Sequence, residues 1–461
     1  MAYRIHRACV LCQRVVTVKI MYRGLSVGVH PQSQTDFLKG APHRKHPGVT
    51  NLKTVRLPEE LQKAALAIIH GAEVPGLADK ACRLTNFLWS RKRAPEDATL
   101  REKATSLEEA LWKKAKEKEE DVDFQLLEAQ ITKKVLTELR KTTYRWSPMR
   151  YDEDLGVVYM AARLAGGYTA VKRALNEIKK RDPCFSPHSL LDFGSGLGTA
   201  LWAGHSFWAD TLKEMVCVDS SGAMNTIADR LLRGGSEEGE PVIEQVYFRQ
   251  FLPVSPKMQF DLVVGAFSLS ELGSQRERED VVHTLWRKTS SYLVLVENGT
   301  KEGHQILMDA RNTLLQKQEK AAYDPRKPSV FAPCPHDSPC PKLAQLPLVP
   351  CNFPQAYIPL PLPGAPDRQT EKFSYLVLSR TASTTEEVNG GGPDWARLTA
   401  PVLRRPRHVH CQICCSSGDL KRVVVTAHRH GRDVYRCARS SEWGDQLPII
   451  RPDDSASRSL D

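Results

Sequence analysis

Apolar residues recur at helical spacing through the first third of the chain. One apolar face follows Leu57, and another runs from Phe124 to Leu139 with an apolar residue at every third or fourth position. This period is typical of amphipathic helices. The capping-box pattern Ser106-x-x-Glu109 predicts the start of a further helix, and the pattern of residues 159–178 predicts another.

The pattern changes at residue 189 to short apolar runs separated by polar, helix-like stretches. Four runs have the length of strands: residues 190–193, 215–218, 262–266 and 292–296. Strands that alternate with helices predict a parallel, doubly wound sheet. Residues 373–379 are interpreted as a late strand, and residues 408–414 and 420–427 as strands of a small β-rich module.

These patterns divide the chain into four regions. Residues 1–35 form an N-terminal leader and residues 36–150 a helical region, in which 37–56 are interpreted as a linker. Residues 151–380 form the α/β domain, with a Pro- and Cys-rich insertion at 321–366. Residues 381–461 form the C-terminal β-rich module.

Composition adds a preference for an anionic partner. The chain has 461 residues, 26% of them charged, with a net charge of +11 and a pI near 9.0. A basic balance of this size favours RNA or DNA over a membrane surface, although a basic protein without nucleic-acid contacts remains an alternative. No apolar run has the length of a membrane span.

The N-terminus carries a targeting pattern. Five basic residues precede the first acidic residue, Asp36, and they alternate with apolar ones: Arg4, Arg7, Arg14, Lys19 and Arg23. An acid-free, Arg-rich amphipathic segment is typical of a mitochondrial transit peptide. We therefore expect a mitochondrial matrix protein whose transit peptide is residues 1–35; the alternative is a disordered basic tail.

A glycine-rich loop follows the first predicted strand. It reads Gly194-Ser195-Gly196-Leu197-Gly198, with Asp192 before it and Asp219 at the end of the next strand. Glycines let backbone approach a ligand closely, and the following helix N-terminus offers free N–H groups. An acid about 20 residues later suits a ribose diol, and Asp192 suits the ligand's amino group.

The spacing D-F-G-S-G-L-G resembles the first motif of class I methyltransferases rather than a dinucleotide fingerprint. The resemblance implies an α/β, Rossmann-like methyltransferase domain that binds S-adenosylmethionine. Asp192, Gly194, Ser195, Gly196, Gly198 and Asp219 are the predicted cofactor-binding residues.

Catalytic residues are not evident. After the fourth strand, amine methyltransferases of nucleic acids carry a Pro-Pro-aromatic motif, but this chain reads Gly265-Ala-Phe-Ser268. No cysteine nucleophile lies between Cys217 and Cys334. The carboxylates of Glu271 and Glu297 are chemically suited to act as a general base. Acids are common at strand ends in this fold, however, and no catalytic residue is assigned.

Three cysteines lie within 18 residues of the Pro-rich insertion: Cys334, Cys340 and Cys351. Four thiolates suit tetrahedral zinc or a [4Fe–4S] cluster, and gaps of six and eleven residues favour the cluster over a zinc ribbon. Cys411, Cys414 and Cys415 compete for the fourth position. His336 is a further candidate ligand, although such a residue more often hydrogen-bonds to a sulfur.

Taken together, these motifs resemble the mitochondrial methyltransferase-like proteins related to a yeast small-subunit ribosomal protein. The resemblance runs from about residue 150 to the C-terminus, and its carriers are residues 189–198, 296–300, 332–341, 351–353, 373–378 and 408–418. It implies assembly of the mitochondrial small ribosomal subunit through its rRNA, S-adenosylmethionine binding without established methyl transfer, and a [4Fe–4S] cluster on Cys334, Cys340, Cys351 and Cys414.

We accordingly expect a monomeric, membrane-free partner of mitochondrial small-subunit rRNA and ribosomal proteins. Six basic residues of the tail are candidate phosphate contacts: Arg397, Arg404, Arg405, Arg407, Lys421 and Arg422. The main alternative is an active methyltransferase of the same rRNA. A third hypothesis is a small-molecule methyltransferase with a zinc-stabilised insertion.

Overall fold

The computed structural model describes residues 37–38, 40–117, 123–255, 257–316, 326–381 and 395–449. The predicted transit peptide, residues 1–35, lies outside the described residues. Among the described residues, no helix combines the length and apolar character needed to cross a membrane.

Among the described residues, five α-helices precede the central sheet: α1 (Glu59–Ala72), α2 (Leu77–Ser90), α3 (Asp97–Lys116), α4 (Phe124–Thr142) and α5 (Glu153–Arg181). Asp152 caps α5, its side chain accepting a hydrogen bond from the Leu155 N–H. The capping box predicted at Ser106 is wrong, because α3 already begins at Asp97, after Glu96 in extended conformation. Ser106 therefore lies within a helix rather than at its start.

The central sheet contains eight strands: β1 (Ser189–Phe193), β2 (Glu214–Val218), β3 (Val246–Arg249), β4 (Phe260–Ala266), β5 (Thr289–Asn298), β6 (Lys327–Ala332), β7 (Phe353–Tyr357) and β8 (Gln369–Thr381). The order is β3-β2-β1-β4-β5-β8-β6, and β7 pairs with β8. Strands β1 to β5 are parallel, whereas β8 is antiparallel to β5. A parallel sheet with one antiparallel strand inserted beside β5 is the class I methyltransferase topology, which confirms the predicted fold class.

Four helices connect these strands: α6 (Thr199–Trp208), α7 (Gly222–Leu232), α8 (Gln275–Arg287) and α9 (Lys301–Gln316). Side chains alternate across the sheet, so Leu190 joins the core on one face and Leu191 the core on the other. The first face packs against α1, α5, α6 and α7, and the second against α8 and α9. Burial on both faces explains why the strand sequences are almost continuously apolar.

A second, five-stranded sheet forms the C-terminal module. Its strands are β9 (Ala396–Leu398), β10 (Leu403–Arg404), β11 (Val409–Cys414), β12 (Leu420–Val425) and β13 (Gln446–Leu447), and its helices are α10 (Ala427–His430) and α11 (Arg432–Ser440). Helix α11 packs Val434 and Cys437 against Val409, Cys411 and other apolar residues on one face of this sheet.

The segment 37–56, interpreted as a linker, is packed instead: residues 43–51 contact this module, and residues 52–55 contact β7. His46 and Thr50 are buried. The Thr50 N–H donates to Asp445 at 2.8 Å, and its hydroxyl donates to the Gly444 carbonyl. The interpretation as a linker rested on a basic, proline-rich composition and is wrong. Polar side chains of this segment are buried, and they form hydrogen bonds with distant parts of the chain.

Candidate cofactor and cysteine sites

The glycine-rich loop turns sharply between β1 and α6. Gly194, Gly196 and Gly198 have φ values of 65°, 50° and 72°, which residues other than glycine rarely adopt. A Cβ on Gly194 would also meet the Cβ of Ser268 at 2.5 Å. The backbone N–H groups of Gly194 and Ser195 donate to the Val218 carbonyl, so the loop is anchored to the end of β2.

Asp219 links this loop to the start of α7. One carboxylate oxygen accepts from the Gly196 N–H at 2.9 Å and the other from the Ser221 N–H at 2.9 Å. Burial raises the pKa of Asp219, while those two backbone hydrogen bonds oppose the rise. The predicted ribose acceptor thus lies beside the loop and also helps to hold it.

Buried oxygen atoms without a partner gather around the same strand ends. Among the described residues they include Asp192 Oδ2, Ser195 Oγ, Ser268 Oγ and Glu297 Oε2. Burial raises the pKa of Asp192 to about 7, with Asp219 adding to the rise. Because buried polar atoms are normally paired, this cluster is the fit expected for a polar ligand at the carboxyl ends of β1, β4 and β5.

The helical region covers the ends of β4 and β5. Arg91, which follows α2, forms an ion pair with Glu271 at 2.5 Å, and the Tyr151 hydroxyl lies 3.4 Å from the same carboxylate. Arg93 pairs with Glu302 and Asp309 of α9. The segment 91–96 therefore lies across the carboxyl ends of β4 and β5 and against α8 and α9.

Glu297, the second acid considered as a base, is 1% exposed. One of its oxygens accepts from the Ser270 N–H, and burial raises its pKa to about 7. It lines a pocket with Arg91, Glu271 and Asn298. The pKa of this carboxyl is therefore raised to about 7, and the 91–96 segment covers the carboxyl.

Four cysteines from two parts of the chain line one cavity: Cys334, Cys340, Cys351 and Cys414. Cys334 follows β6, Cys351 precedes β7, and Cys414 ends β11. Cys411 and Cys415, the other candidates for the fourth position, pack in the core of the small sheet. Among the described residues, no three His, Cys, Asp or Glu side chains converge closely enough to hold a single metal ion.

The thiols lie in a buried environment with cationic neighbours. Burial raises the pKa of Cys334 to about 12 and that of Cys351 to about 11. Arg311 and Arg397 act against the rise at Cys334, and Lys342 acts against it at Cys351. A metal that binds here must displace protons, and the three cations would then offset the thiolate charge.

His336 contacts one of these cysteines rather than lining the cavity. Its Nε2 lies 3.3 Å from Cys414 Sγ, and its Nδ1 lies 3.0 Å from the Ser338 carbonyl. Arg311 donates to the carbonyls of His336 and Ser338, which holds this loop on α9. His336 is therefore placed to hydrogen-bond to the Cys414 sulfur.

The prediction that Arg397 contacts phosphate is wrong. Arg397 is 1% exposed and donates two hydrogen bonds to Glu177, at 2.8 and 3.0 Å. Its Nε donates to the Pro333 carbonyl, next to Cys334. The residue is held in the interior because Glu177, buried in α5, needs a counter-charge.

The other basic residues of the module differ in availability. Arg404 donates to the carbonyls of Arg439 and Ser441 at the end of α11, and Lys421 lies 3.6 Å from Asp419. Arg405, Arg407 and Arg422 are exposed. These three are the candidate phosphate contacts whose guanidinium groups face solvent.

Sequence reasoning missed Glu177, Arg311 and Lys342. All three are charged and buried, and Arg311 lies among apolar residues on the inner face of α9. A charged residue at a core position of an amphipathic helix is the signal that could have found it. The pattern does not reveal its partner, because the partner comes from a distant part of the chain.

Comparisons with known proteins agree with this architecture. Residues 153–448 match the family model described as mitochondrial small ribosomal subunit Rsm22. The human ribosome assembly protein METTL17, mitochondrial, is 50% identical over 420 residues, covering 91% of this chain and 89% of that protein. The Rsm22-cox11 tandem protein 2, mitochondrial, of Schizosaccharomyces pombe is 29% identical over 310 residues, 60% of this chain and 40% of that protein.

Among solved structures, magnesium protoporphyrin IX methyltransferase from Synechocystis overlaps 53% of this chain and 94% of its own, with 12% identity and a TM-score of 0.30. The fold class rests on the strand order rather than on this overlap. The relatives confirm the expected mitochondrial location. With the family model matching well over half of its length, the chain belongs to the mitochondrial small ribosomal subunit Rsm22 family.

Proposed function

We propose that this protein is an assembly factor of the mitochondrial small ribosomal subunit that binds its rRNA in the matrix. In this proposal the protein retains S-adenosylmethionine binding, carries a [4Fe–4S] cluster and does not transfer methyl groups. One observation carries the proposal. In a chain of the Rsm22 family, three cysteines of the insertion and one of the basic C-terminal module line the same cavity.

Retention of the cofactor site is supported by the loop geometry. Because Gly194, Gly196 and Gly198 have positive φ values and no side chains, a ligand can approach the loop backbone closely. Asp219 suits the ribose diol and Asp192 the amino group, and both Asp192 Oδ2 and Ser195 Oγ await a partner. The chemistry that S-adenosylmethionine supplies when bound is an activated methyl group.

Loss of methyl transfer is supported by the residues on the acceptor side. Phe267 and Ser268 occupy the place of the amine-orienting motif. Phe267 has a φ of 58°, and its ring lies 5.0 Å from the Arg163 guanidinium carbon. The Arg91–Glu271 ion pair crosses the same edge. An acceptor base would have to displace these groups to reach the methyl group.

The cluster is supported by the chemistry of the donor set. A [4Fe–4S] cluster takes one thiolate per iron, and four cysteines face one cavity here. Arg397 and Lys342 lie at the wall of the same cavity and would balance the negative cluster. A cluster held by Cys334, Cys340, Cys351 and Cys414 would cross-link the insertion to the module, which fixes the module's orientation on the α/β domain.

Anaerobic purification or reconstitution of the full chain tests the cluster. We expect about four iron and four sulfide per chain, with brown cluster absorption that Cys334→Ser and Cys414→Ser abolish. Cys411→Ser is the matched control, because Cys411 packs in the sheet core and should leave iron content unchanged. Stoichiometric zinc without iron, or equal iron loss in Cys411→Ser, would refute the assignment.

An active rRNA methyltransferase is the alternative function. It is favoured by Glu297, a buried carboxyl whose pKa burial raises to about 7 at the end of β5. Labelled S-adenosylmethionine incubated with purified small subunits distinguishes the two. Methyl transfer to rRNA by the wild-type chain that Asp219→Ala abolishes would establish the enzyme; no transfer, with cofactor binding intact, is the result that we expect.

A further inference from the structure

One face of the small sheet is turned to solvent. On β11, side chains alternate, so Val409, Cys411 and Ile413 enter the core while His410 and Gln412 point outward. The pairing register aligns Leu403 of β10 and Val424 of β12 on either side of His410. We call the outward surface formed by β10, β11 and β12 the open face.

The open face carries flat rings and apolar groups that the core does not use. Leu403 is 57% exposed and Val424 is 43% exposed, on either side of the exposed His410. The ring centroids of His408 and His410 lie 4.9 Å apart. Exposed apolar and aromatic groups on a sheet surface are the features on which unpaired bases stack.

The surroundings of the open face are cationic. Residues 401–426, which hold β10 to β12 and their turns, contain one acid, Asp419, and five Lys or Arg residues: Arg404, Arg405, Arg407, Lys421 and Arg422. Arg422 lies opposite Gln412 in the register, and Arg405 and Arg407 lie in the turn between β10 and β11. Guanidinium groups at the margin and rings in the middle suit a strand whose phosphates lie outside its bases.

The open face also leads to the cysteine cavity. Cys414 and Leu420 are paired at the far end of β11 and β12, and both line that cavity. Gly418 lies in the turn between the two strands, close to the insertion. A Cβ added to Gly418 would lie 3.0 Å from the Cβ of Ser338 in the insertion. The insertion therefore covers one end of the sheet surface and leaves the end with His408 and His410 open.

We propose that the open face binds single-stranded RNA, with bases on His408, His410, Leu403 and Val424 and phosphates at Arg405, Arg407 and Arg422. The proposal rests on the proposed function and names the form of RNA that this module recognises. Duplex RNA hides its base faces within the stack and offers only grooves and phosphates. A flat sheet surface with exposed rings therefore favours unpaired nucleotides.

Fluorescence anisotropy of the full chain with a labelled oligouridine and with a duplex of matched length tests this proposal. We expect the single strand to bind at least tenfold more tightly than the duplex. His408→Ala/His410→Ala should weaken single-strand binding at least tenfold, because the variant removes the rings on which bases stack. Arg405→Ala/Arg407→Ala should lower the slope of log Kd against log salt by about 0.7 for each phosphate that is no longer neutralised.

Arg432→Ala/Arg436→Ala is the matched control, since it removes the same charge from exposed positions of α11, the helix that packs against the opposite sheet face. It should leave the Kd of the single strand within twofold. Equal binding of strand and duplex, or wild-type affinity in His408→Ala/His410→Ala, overturns the proposal. A His408→Ala/His410→Ala variant that loses a bound ribosomal protein and keeps its RNA affinity also overturns the proposal.

The proposed RNA surface and the proposed function fail separately. If the histidine variant keeps oligouridine affinity while the wild-type chain still crosslinks to small-subunit rRNA, the open face is excluded and RNA binding in assembly stands. If the wild-type chain binds neither probe and crosslinks to no rRNA, the proposed function fails with it.

Discussion

Arg397 and Glu177 form a buried, bidentate ion pair that joins the C-terminal module to the α/β domain. The two hydrogen bonds measure 2.8 and 3.0 Å, and both side chains are at most 1% exposed. Arg173 donates to the same carboxylate at 2.9 Å, and so does the Tyr375 hydroxyl at 2.8 Å. Although burial alone would raise the pKa of Glu177, Arg397 and Arg173 hold it well below its ordinary value.

Arg397→Ala should destabilise the fold. The substitution removes two buried hydrogen bonds to Glu177 and leaves Arg173 as the remaining cation that donates to that carboxylate; breaking a buried ion pair costs about 3–5 kcal/mol. We expect the free energy of unfolding, measured by denaturant titration, to fall by that amount. Arg407→Ala removes an exposed arginine and should change it by about 0.5 kcal/mol or less. Similar values for the two variants would show that Arg397 does not fasten the module.

Asp219→Ala should weaken S-adenosylmethionine binding. The substitution removes the acceptor offered to the ribose and also releases the Gly196 and Ser221 N–H groups that Asp219 holds. A hydrogen bond to a charged group contributes about 1.5–3 kcal/mol. We therefore expect calorimetry to show a Kd for S-adenosylmethionine that is raised roughly ten- to a hundredfold. Asp210→Ala, an exposed acid just after α6, should bind normally; equal affinity in Asp219→Ala would exclude this loop as the site.

The buried carboxyl of Asp192 makes stability depend on pH. Burial raises its folded-state pKa to about 7 from an ordinary value of about 3.9, so the folded protein holds the proton more tightly than the unfolded chain. Its contribution to stability is present at low pH and is lost as pH rises toward 7.

Asp192→Asn lacks this titration. Between about pH 5 and pH 8 the cofactor-free variant should gain roughly 2.5 kcal/mol of unfolding free energy relative to the wild type, because one pKa unit corresponds to about 1.4 kcal/mol. Denaturant titrations at several pH values measure the difference. Asp210→Asn is the control, and parallel pH profiles for Asp192→Asn and the wild type would contradict the expected direction.

The sheet and the helices beside it were predictable because their signals are local. Residues 190–193 and 215–218 were expected as strands, and β1 and β2 extend each by one residue. Burial on both faces makes such strands uniformly apolar, and the glycine loop follows directly. Helix α4 begins at the predicted Phe124 for a similar reason, since its apolar period is regular.

The interior charges were not predictable in the same way. Arg397 lies in a basic stretch of sequence, and nothing in its neighbours reveals the carboxylate of Glu177, 220 positions earlier. Thr50 likewise lies in a segment with the composition of a linker, yet it is buried against Gly444. Pairing between distant residues decides both positions, and a single sequence does not record that pairing.

The acceptor side was predictable only in part. The absence of a Pro-Pro motif after β4 was visible in the sequence, but the 91–96 segment that crosses this edge was not. Arg91 and Glu271 are far apart in the chain, and their ion pair depends on how α2 packs against α5. The same holds for the cavity that Cys414 shares with the three cysteines of the insertion.

Crosslinking to RNA in mitochondria tests the central claim most directly. Cells that express the wild-type chain, Cys334→Ser or the control Cys411→Ser are irradiated, and the small-subunit rRNA bound to each protein is measured at equal protein levels. We predict strong crosslinks for the wild type and Cys411→Ser and a loss of at least tenfold for Cys334→Ser. Wild-type crosslinking by Cys334→Ser would contradict the claim that the cysteine site shapes the RNA-binding surface.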